Sequence, residues 1–264
     1  MLEIPFKKYQ GTGNDFIVVD NRKLFFPNTD FSFIKLLCDR QFGIGADGLM
    51  LLQNHQEVDF EMKYYNADGK TGSLCGNGGR CVVAFAKSLN LIKNETKFLA
   101  VDGIHTAKIS DGIVSLAMND VNELIETELG YQLNTGSPHL VIKVNDIQNL
   151  NVFEEGKRIR NLPEYILEGI NVNFIDEYES NFEIRTYERG VENETLSCGT
   201  GVTAAILVLA HIKKMNGNNR LTIKTIGGEL SVSFNANQLS NAFTNIELIG
   251  PAIHVFSGVV GYSY

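Results

Sequence analysis

The chain is 264 residues long, enough for one large domain or two small ones with a real core. Its 44% apolar and 20% charged residues are ordinary for a soluble globular protein, and a formal net charge of −8 argues against nonspecific binding to nucleic acid or an anionic membrane. Four cysteines do not make a disulfide framework at this length, the N-terminus shows no apolar leader segment, and the longest apolar run, Ala204 to Ala210, is far short of a bilayer. A soluble chain in the reducing cytoplasm is therefore expected, with no membrane or nucleic-acid partner.

In chain order, "YQGTGNDFIVVD" (9–20) is a glycine turn feeding a strand. "FSFIKLLCDR" (31–40) has helical apolar spacing, with Cys38 a small core residue beside Phe33, Ile34 and Leu37. "GIGADG" (43–48) matches the dinucleotide fingerprint in letters only. A helical segment precedes it and the strand-like "LMLLQ" follows, the reverse of the order a nucleotide turn needs. "DFEMKYYNADGKTGSLCGNG" (59–78) reads as strand, turn and Cys-Gly-x-Gly, and the apolar run after it as a helix enclosing Cys81. "FLAVDGIHTAKISDGIVSLAM" (98–118) gives strands broken at glycines, and the polar, acidic stretch from Met118 to Glu126 marks a boundary.

Beyond that boundary the chain repeats itself. "YQLNTGSPHLVIKV" (131–144) matches the first glycine turn, and "LPEYILEG" (162–169) resembles a further short helix. "NFEIRTYERGVENETLSCGTG" (181–201) matches the first strand–turn–cysteine run with one extra residue, and "LTIKTIGGELSVSFNANQL" (221–239) again reads as strands. Thr12 and Thr135 stand 123 residues apart, as do Cys75 and Cys198. An internal duplication follows: an α+β protein of two pseudo-symmetric domains, 1–118 and 119–264, each with one prominent helix, the C-terminal tail being able to pack back onto the first.

Metal chemistry is poorly supported. Cys75 and Cys81 lack common zinc spacing, and no H-x₃₋₅-H pair occurs among the five histidines. Cys75 and Cys198 differ from Cys38 and Cys81 in standing at predicted helix N-termini, where orphan N–H groups and the helix dipole favour a thiolate. Glycines around each would let a ligand approach the backbone, and the N–H groups could hold a carboxylate. Two such thiols, one per half, suit inversion at a carbon, since one removes a proton from one face while the other delivers a proton to the opposite face. A thiol hydrolase would need no second helix-start cysteine, and a non-enzymatic binding module would need neither.

"GTGNDF", "GIGADG", "NADG", "CGNGGRC", "GINVNF", "YERG", "CGTG" and "GPAIHVFSG" occur in one order along nearly the whole chain, and together they resemble the diaminopimelate epimerase family. The resemblance implies β-barrel-like sheets around central helices, a homodimer, and cofactor-independent interconversion of LL- and meso-diaminopimelate for lysine and peptidoglycan precursors. It puts Cys75 and Cys198 in the places of the two catalytic bases. It gives Gly76, Asn77, Gly199 and Thr200 as backbone donors to the reacting carboxylate, and Asn14, Asn66, Asn171, Glu188 and Arg189 as substrate ligands. Arg189 would take the distal carboxylate, Glu188 would assist a cysteine or meet an ammonium, and His139 would aid ionisation of one thiol. Two departures stand out. Ser137 replaces an asparagine that contacts substrate, with shorter reach, and Gly48 stands where some members carry glutamine. Proline racemase-like enzymes share the paired cysteines, but a histidine is expected where Asn77 stands, and phenazine-type isomerases lack the thiols.

Overall fold

Alternation of inward apolar and outward polar residues builds much of the chain into strands; in Glu95–Ala100, for example, Thr96, Phe98 and Ala100 are buried while Glu95 and Lys97 face out. The structure is a computed structural model that describes residues 2–72, 75–178, 181–237 and 239–263. Ser73 and Leu74, just before Cys75, lie outside the described residues. The chain divides into two compact units, Met1–Leu116 with Pro251–Tyr264, and Ala117–Gly250.

The first unit contains β1 (Leu2–Gly11), β2 (Asn14–Asp20), α1 (Phe31–Cys38), β3 (Gly48–Gln53), β4 (Phe60–Asn66), α2 (Gly76–Ser88), β5 (Glu95–Ala100), β6 (Gly103–Ser110) and β7 (Ile113–Ala117). The second contains β8 (Ile125–Glu126), β9 (Tyr131–Asn134), β10 (Pro138–Lys143), α3 (Val152–Arg160), β11 (Asn171–Tyr178), β12 (Asn181–Glu188), β13 (Asn193–Thr195), α4 (Gly199–Ile212), β14 (Gly217–Thr225), β15 (Gly228–Asn237) and β16 (Ala242–Pro251). The last strand, β17 (Ile253–Tyr262), returns to the first unit.

Strand pairing is the same in both units. The first runs β17-β1-β2-β3-β4-β5-β6-β7, parallel at β2–β3 and β4–β5 and antiparallel elsewhere. The second runs β8-β9-β10-β11-β12-β14-β15-β16, parallel at β10–β11 and β12–β14. Each mixed sheet wraps around one helix: α2 packs on β1, β2, β3, β6 and β17, and α4 on β9 to β12, β14 and β15. The result is the two-repeat α+β fold.

The boundary expected at 118 falls two residues earlier. Residues 251–264, assigned by sequence to the second half with a return to the first as the alternative, take the return. β17 lies antiparallel along β1 from Leu2↔Tyr262 to Gln10↔Ile253, covering an edge that would otherwise present unpaired backbone groups.

Helix α4 is apolar on every side, and its residues from Gly201 to Ala210 are all buried, as a helix enclosed by a sheet must be. Both central helices stop in the same way. Asn90 and Lys214 take left-handed backbone (φ 55° and 52°), and the following amides bond back, Leu91 N to Ala86 O (3.1 Å) and Met215 N to Ala210 O (2.9 Å). Among the described residues no helix is long and apolar enough to cross a membrane.

One expected helix is displaced. Residues 162–168, "LPEYILE", form successive turns, and the helix lies just before them as α3. Asn151 caps it by accepting from Glu154 N, with Glu154 and Glu155 in its first turn and Lys157, Arg158 and Arg160 in its last. Its buried face is only Val152, Gly156 and Ile159, too narrow a stripe to read as apolar periodicity. Gly156 is where α3 meets the sheet: a Cβ there would lie 2.3 Å from Tyr187 Cβ. Gly156→Ala is therefore expected to destabilise the second unit by about 1–3 kcal/mol through overpacking, read as a lower urea midpoint in its unfolding transition.

Candidate active site

In the first unit, Cys75 precedes α2 with extended backbone (φ −98°, ψ 130°), so its carbonyl receives the helix bond from Gly79 N (2.8 Å) and its side chain stays outside the helix. The Asn14 carboxamide holds the thiol. Its Oδ1 accepts from Cys75 Sγ (3.4 Å) and from Asn77 Nδ2 (3.4 Å), and its Nδ2 donates to Asp47 Oδ2 (2.5 Å). Behind Asp47 stands a charged chain. Arg40 donates to Asp47 Oδ1 (2.7 Å) and grips Asp15 with both arms (2.7 and 3.0 Å), while Lys8 meets Asp15 (2.7 Å) and Gly45 O. Burial pushes the Asp15 carboxyl up, but hydrogen bonds from Arg40 and Lys8 outweigh it and hold the pKa at about 2.

Arg80, one turn along α2, is fully buried. It donates to Thr12 Oγ1 (3.2 Å), Pro251 O (3.4 Å) and Gly76 O (3.5 Å). Burial lowers its pKa, and the neighbouring Cys81 and Cys75 sulfurs favour its charge. Asn66 ends β4, exposed, and its backbone closes the turn with Lys70 O and Gly69 N. Gly48 offers no open subsite: a Cβ there would lie 2.5 Å from the Tyr64 ring and 2.6 Å from Tyr65 O. The same ring is 2.6 Å from where a Gly72 Cβ would be, so Tyr64 fills the space over both glycines.

In the second unit, Cys198 precedes α4 with matching backbone (φ −113°, ψ 111°). Its Sγ lies 3.5 Å from Thr200 Oγ1, and Thr135 Oγ1 donates to Thr200 O at 2.9 Å. The β10–β11–β12 register sets His139, Asn171, Asn173, Thr186 and Glu188 on the sheet face that carries Val141, Ile175 and Ile184 into the α4 core. Asn171 braces three strand ends. Its Nδ2 donates to Ser137 Oγ (2.9 Å) and Pro138 O (3.0 Å), and its Oδ1 accepts from Arg189 N (2.9 Å). The Arg189 side chain reaches Glu168 O (2.8 Å) and Ser137 Oγ (3.4 Å), so Ser137, Asn171 and Arg189 form one group. Glu188 accepts from Thr195 Oγ1 at 3.0 Å. His139 is fully buried with Nδ1 3.1 Å from Asn173 Nδ2; burial, then the Arg189 charge, lower its pKa to about 3, and the ring is neutral.

Cys38 and Cys81 are core residues whose thiols burial pushes up to about 12. Within the first unit, Asn14 is hydrogen-bonded to both Cys75 and Asn77, and Asn66 is exposed at the end of β4. Sequence reasoning overlooked Asp47, Tyr64, Asn173 and Thr195. Asp47 could have been found from its place in "GIGADG" and Asn173 from its place in "GINVNF", but Tyr64 and Thr195 carry no motif.

This architecture defines a class of two-repeat proteins. It is shared with a phenazine biosynthesis protein of the PhzF family from Bacillus anthracis (TM-score 0.76, 14% identity, 99% of this chain and 100% of that one). It is shared also with a hydroxyproline epimerase from Agrobacterium vitis, solved with trans-4-hydroxy-L-proline (TM-score 0.67, 14% identity, 98% and 92%). Within that class the sequence is more specific. The diaminopimelate epimerase family model matches residues 6–126 and 131–255, and the chain belongs to that family. It is 52% identical over 255 residues to the diaminopimelate epimerase of Flavobacterium psychrophilum (96% of this chain, 98% of the relative). It is 39% identical over 260 residues to that of Chlorobaculum tepidum (95% and 98%).

The Asp15 network gives a pH dependence. A carboxyl whose folded pKa is depressed stabilises the native state above its unfolded pKa of about 3.9, and that stabilisation disappears as pH falls toward 2. Asp15→Asn should be less stable at neutral pH and lack this part of the acid limb, measured by urea midpoints from pH 6 down to pH 2.

Proposed function

We infer that the chain is a diaminopimelate epimerase working by two-base proton transfer between Cys75 and Cys198. The observation that carries this reading is 52% identity along nearly the full chain to a diaminopimelate epimerase, joined to a cysteine opening the buried helix of each unit. One thiolate takes the α-proton and becomes a thiol, leaving a carbanion. The second thiol gives its proton to the opposite face and becomes a thiolate, so the proton count is unchanged and the configuration is inverted. Exchanging the roles runs the reaction backward. The difficult species is the carbanion, whose charge spreads into the adjacent carboxylate. Backbone amides of Gly76, Asn77, Gly199 and Thr200 receive that carboxylate in this reading.

Asn14 orients the Cys75 thiol, Asn66 and Glu188 serve the polar groups of the substrate, and Arg189 takes the distal carboxylate, steadied by Ser137 and Asn171. Neither pyridoxal phosphate nor a metal is called on, and a reducing cytoplasm keeps both thiols usable. The unit of function is a homodimer. Its support is the exposed apolar run on β17, where Ile253, Val255, Phe256 and Val259 are each at least 45% accessible.

Incubation with LL-diaminopimelate in deuterium oxide, without added cofactor, should give the meso product with solvent deuterium at one α-carbon. Unlabelled substrate recovered under reducing conditions would refute the epimerase reading. Cys75→Ala and Cys198→Ala should each lower kcat by about 10²-fold or more, and an active single mutant would remove the two-base mechanism. Val255→Asp with Val259→Asp should convert the dimer to a monomer in light scattering; a monomeric parent chain would remove the dimer.

A further inference from the structure

The Asn14 carboxamide has one workable orientation, and a carboxylate dictates it. Parallel register between β2 and β3 pairs Phe16 with Gly48, which sets Asp47 beside Asp15 and within reach of Asn14. The Asp47 backbone is tied there, its N donating to Asp15 O at 2.9 Å. Its side chain is tied twice more, since Arg40 donates to Oδ1 (2.7 Å) and the Asp15 amide donates to Oδ2 (3.1 Å). Asn14 meets the same Oδ2 at 2.5 Å. A carboxylate oxygen accepts and does not donate, so the end of Asn14 that faces it is the NH₂ group. The carbonyl oxygen is thereby turned the other way, 3.4 Å from Cys75 Sγ and 3.4 Å from Asn77 Nδ2.

Which end faces the sulfur decides which form of Cys75 it favours. A thiol gives its proton to a carbonyl oxygen, whereas a thiolate there faces the negative end of the carbonyl dipole. An amide turned over would present N–H and favour the thiolate. Arg80 works in the opposite sense to the oxygen. It is buried one turn along α2 on the neutral oxygens of Thr12, Pro251 and Gly76, and its charge and that of a Cys75 thiolate favour each other. The remaining charges close by are engaged among themselves, Lys8 and Arg40 on Asp15 and Arg40 on Asp47. A group that must both give and take a proton is best served when neither form is strongly preferred. The device is confined to the first unit. At the 123-residue offset Asn14 corresponds to Ser137 and Asp47 to Ile170. The oxygen beside Cys198 is the Thr200 hydroxyl, which can turn to serve either form.

We propose that Asp47 is a positioning residue that fixes the Asn14 carboxamide oxygen on Cys75 and so favours the protonated thiol there, against the pull of Arg80. It acts through Asn14. Its place in catalysis rests on the reading of Cys75 as a proton-transferring group.

Cys75 is isolated in the full chain carrying Cys198→Ala, where it titrates without a partner thiol. Its alkylation by iodoacetamide is followed against pH by mass spectrometry of its peptide, under reducing conditions. Adding Asp47→Asn frees the amide, since an asparagine presents either a donor or an acceptor. The midpoint should fall by about one pH unit, with alkylation about tenfold faster below it, and no fall overturns the lock. Loss of a negative charge would by itself move the midpoint the same way, so the variant is repeated on Asn14→Ala. There Asp47→Asn should leave the midpoint unchanged, and an equal fall in both backgrounds assigns a through-space charge effect and overturns the positioning role. The wild type supplies a measurement that needs no variant. The Asn14 side-chain NH₂ protons should shift with the ¹³C titration of the Asp47 carboxyl in NMR, and amide signals blind to that titration overturn the lock. With Cys198 restored, Asp47→Asn should lower kcat about tenfold, and full activity alongside a lowered midpoint removes its part in catalysis. Should the chain lack epimerase activity while the midpoints and NMR shifts behave as expected, the functional reading falls and the lock stands.

Discussion

The close approach of each central helix's first turn to the sheet beneath it is the constraint on which the rest depends. A helix normally begins at a surface, where water or a capping side chain meets its first amides. Here both begin inside a wrapped sheet, on a cysteine whose side chain does not cap. Glycine makes this possible where the contact is tightest. A side chain at Gly201 would collide with Asn173 Oδ1, and one at Gly11 would press on the Arg80 guanidinium at 3.2 Å. The turns that lead into β2 and β10 also need glycine, since Gly13 and Gly136 have φ of 87° and 105°. These positions set each cysteine immediately before the first turn of its helix, with Asn14 Oδ1 beside one sulfur and Thr200 Oγ1 beside the other.

The duplication preserves the scaffold and not the electrostatics. Position 16 is Phe16, edge-on to Tyr64, and its counterpart is His139. Position 48 is a glycine covered by Tyr64, and its counterpart is Asn171, which braces three strand ends. Position 80 is a buried guanidinium, and its counterpart Thr203 simply returns its hydroxyl to Gly199 O at 3.0 Å. Cys75 therefore has a cation in its surroundings, and the Cys198 turn has a neutral imidazole and a carboxamide. The two-base inversion proposed above would use one thiolate and one thiol at any moment. Unequal surroundings on an equal backbone are a physical means of keeping two chemically identical groups distinct.

The features legible in the sequence were those written in local pattern. Repeated Cys-Gly turns, alternating strands and the constant offset between halves gave the two-repeat fold, because periodicity and turn chemistry are local properties. The β17 strand is different. Nothing within "AIHVFSGVVGY" names β1 as its partner, since edge pairing is decided by which backbone remains uncovered after the sheet forms. Helix α3 was missed for a related reason. It buries only one narrow stripe, and its cap and charge order were weaker signals than the apolar residues of the turns that follow. Tyr64 could not have been singled out, and Asn173, though it stands in "GINVNF", could not have been given its partners, because in each case the neighbours are brought close only by register.

Register also explains why the second unit tolerates so many buried polar groups. His139, Asn171, Asn173 and Thr186 share one sheet face with the apolar side chains that pack against α4. An unpaired buried amide costs about 1–3 kcal/mol, so four scattered polar residues on that face would remove much of a domain's stability. Here they occupy adjacent rungs, and nearly every donor and acceptor meets another member or a strand carbonyl. The polar set thus ends where the apolar set of Val141, Ile175 and Ile184 begins, one residue pair along the strands. Below that line the sheet contributes stability. Above it, the sheet carries a buried array of hydrogen-bonded polar side chains, and His139 Nε2, buried and without a hydrogen-bond partner among the described residues, lies within that array.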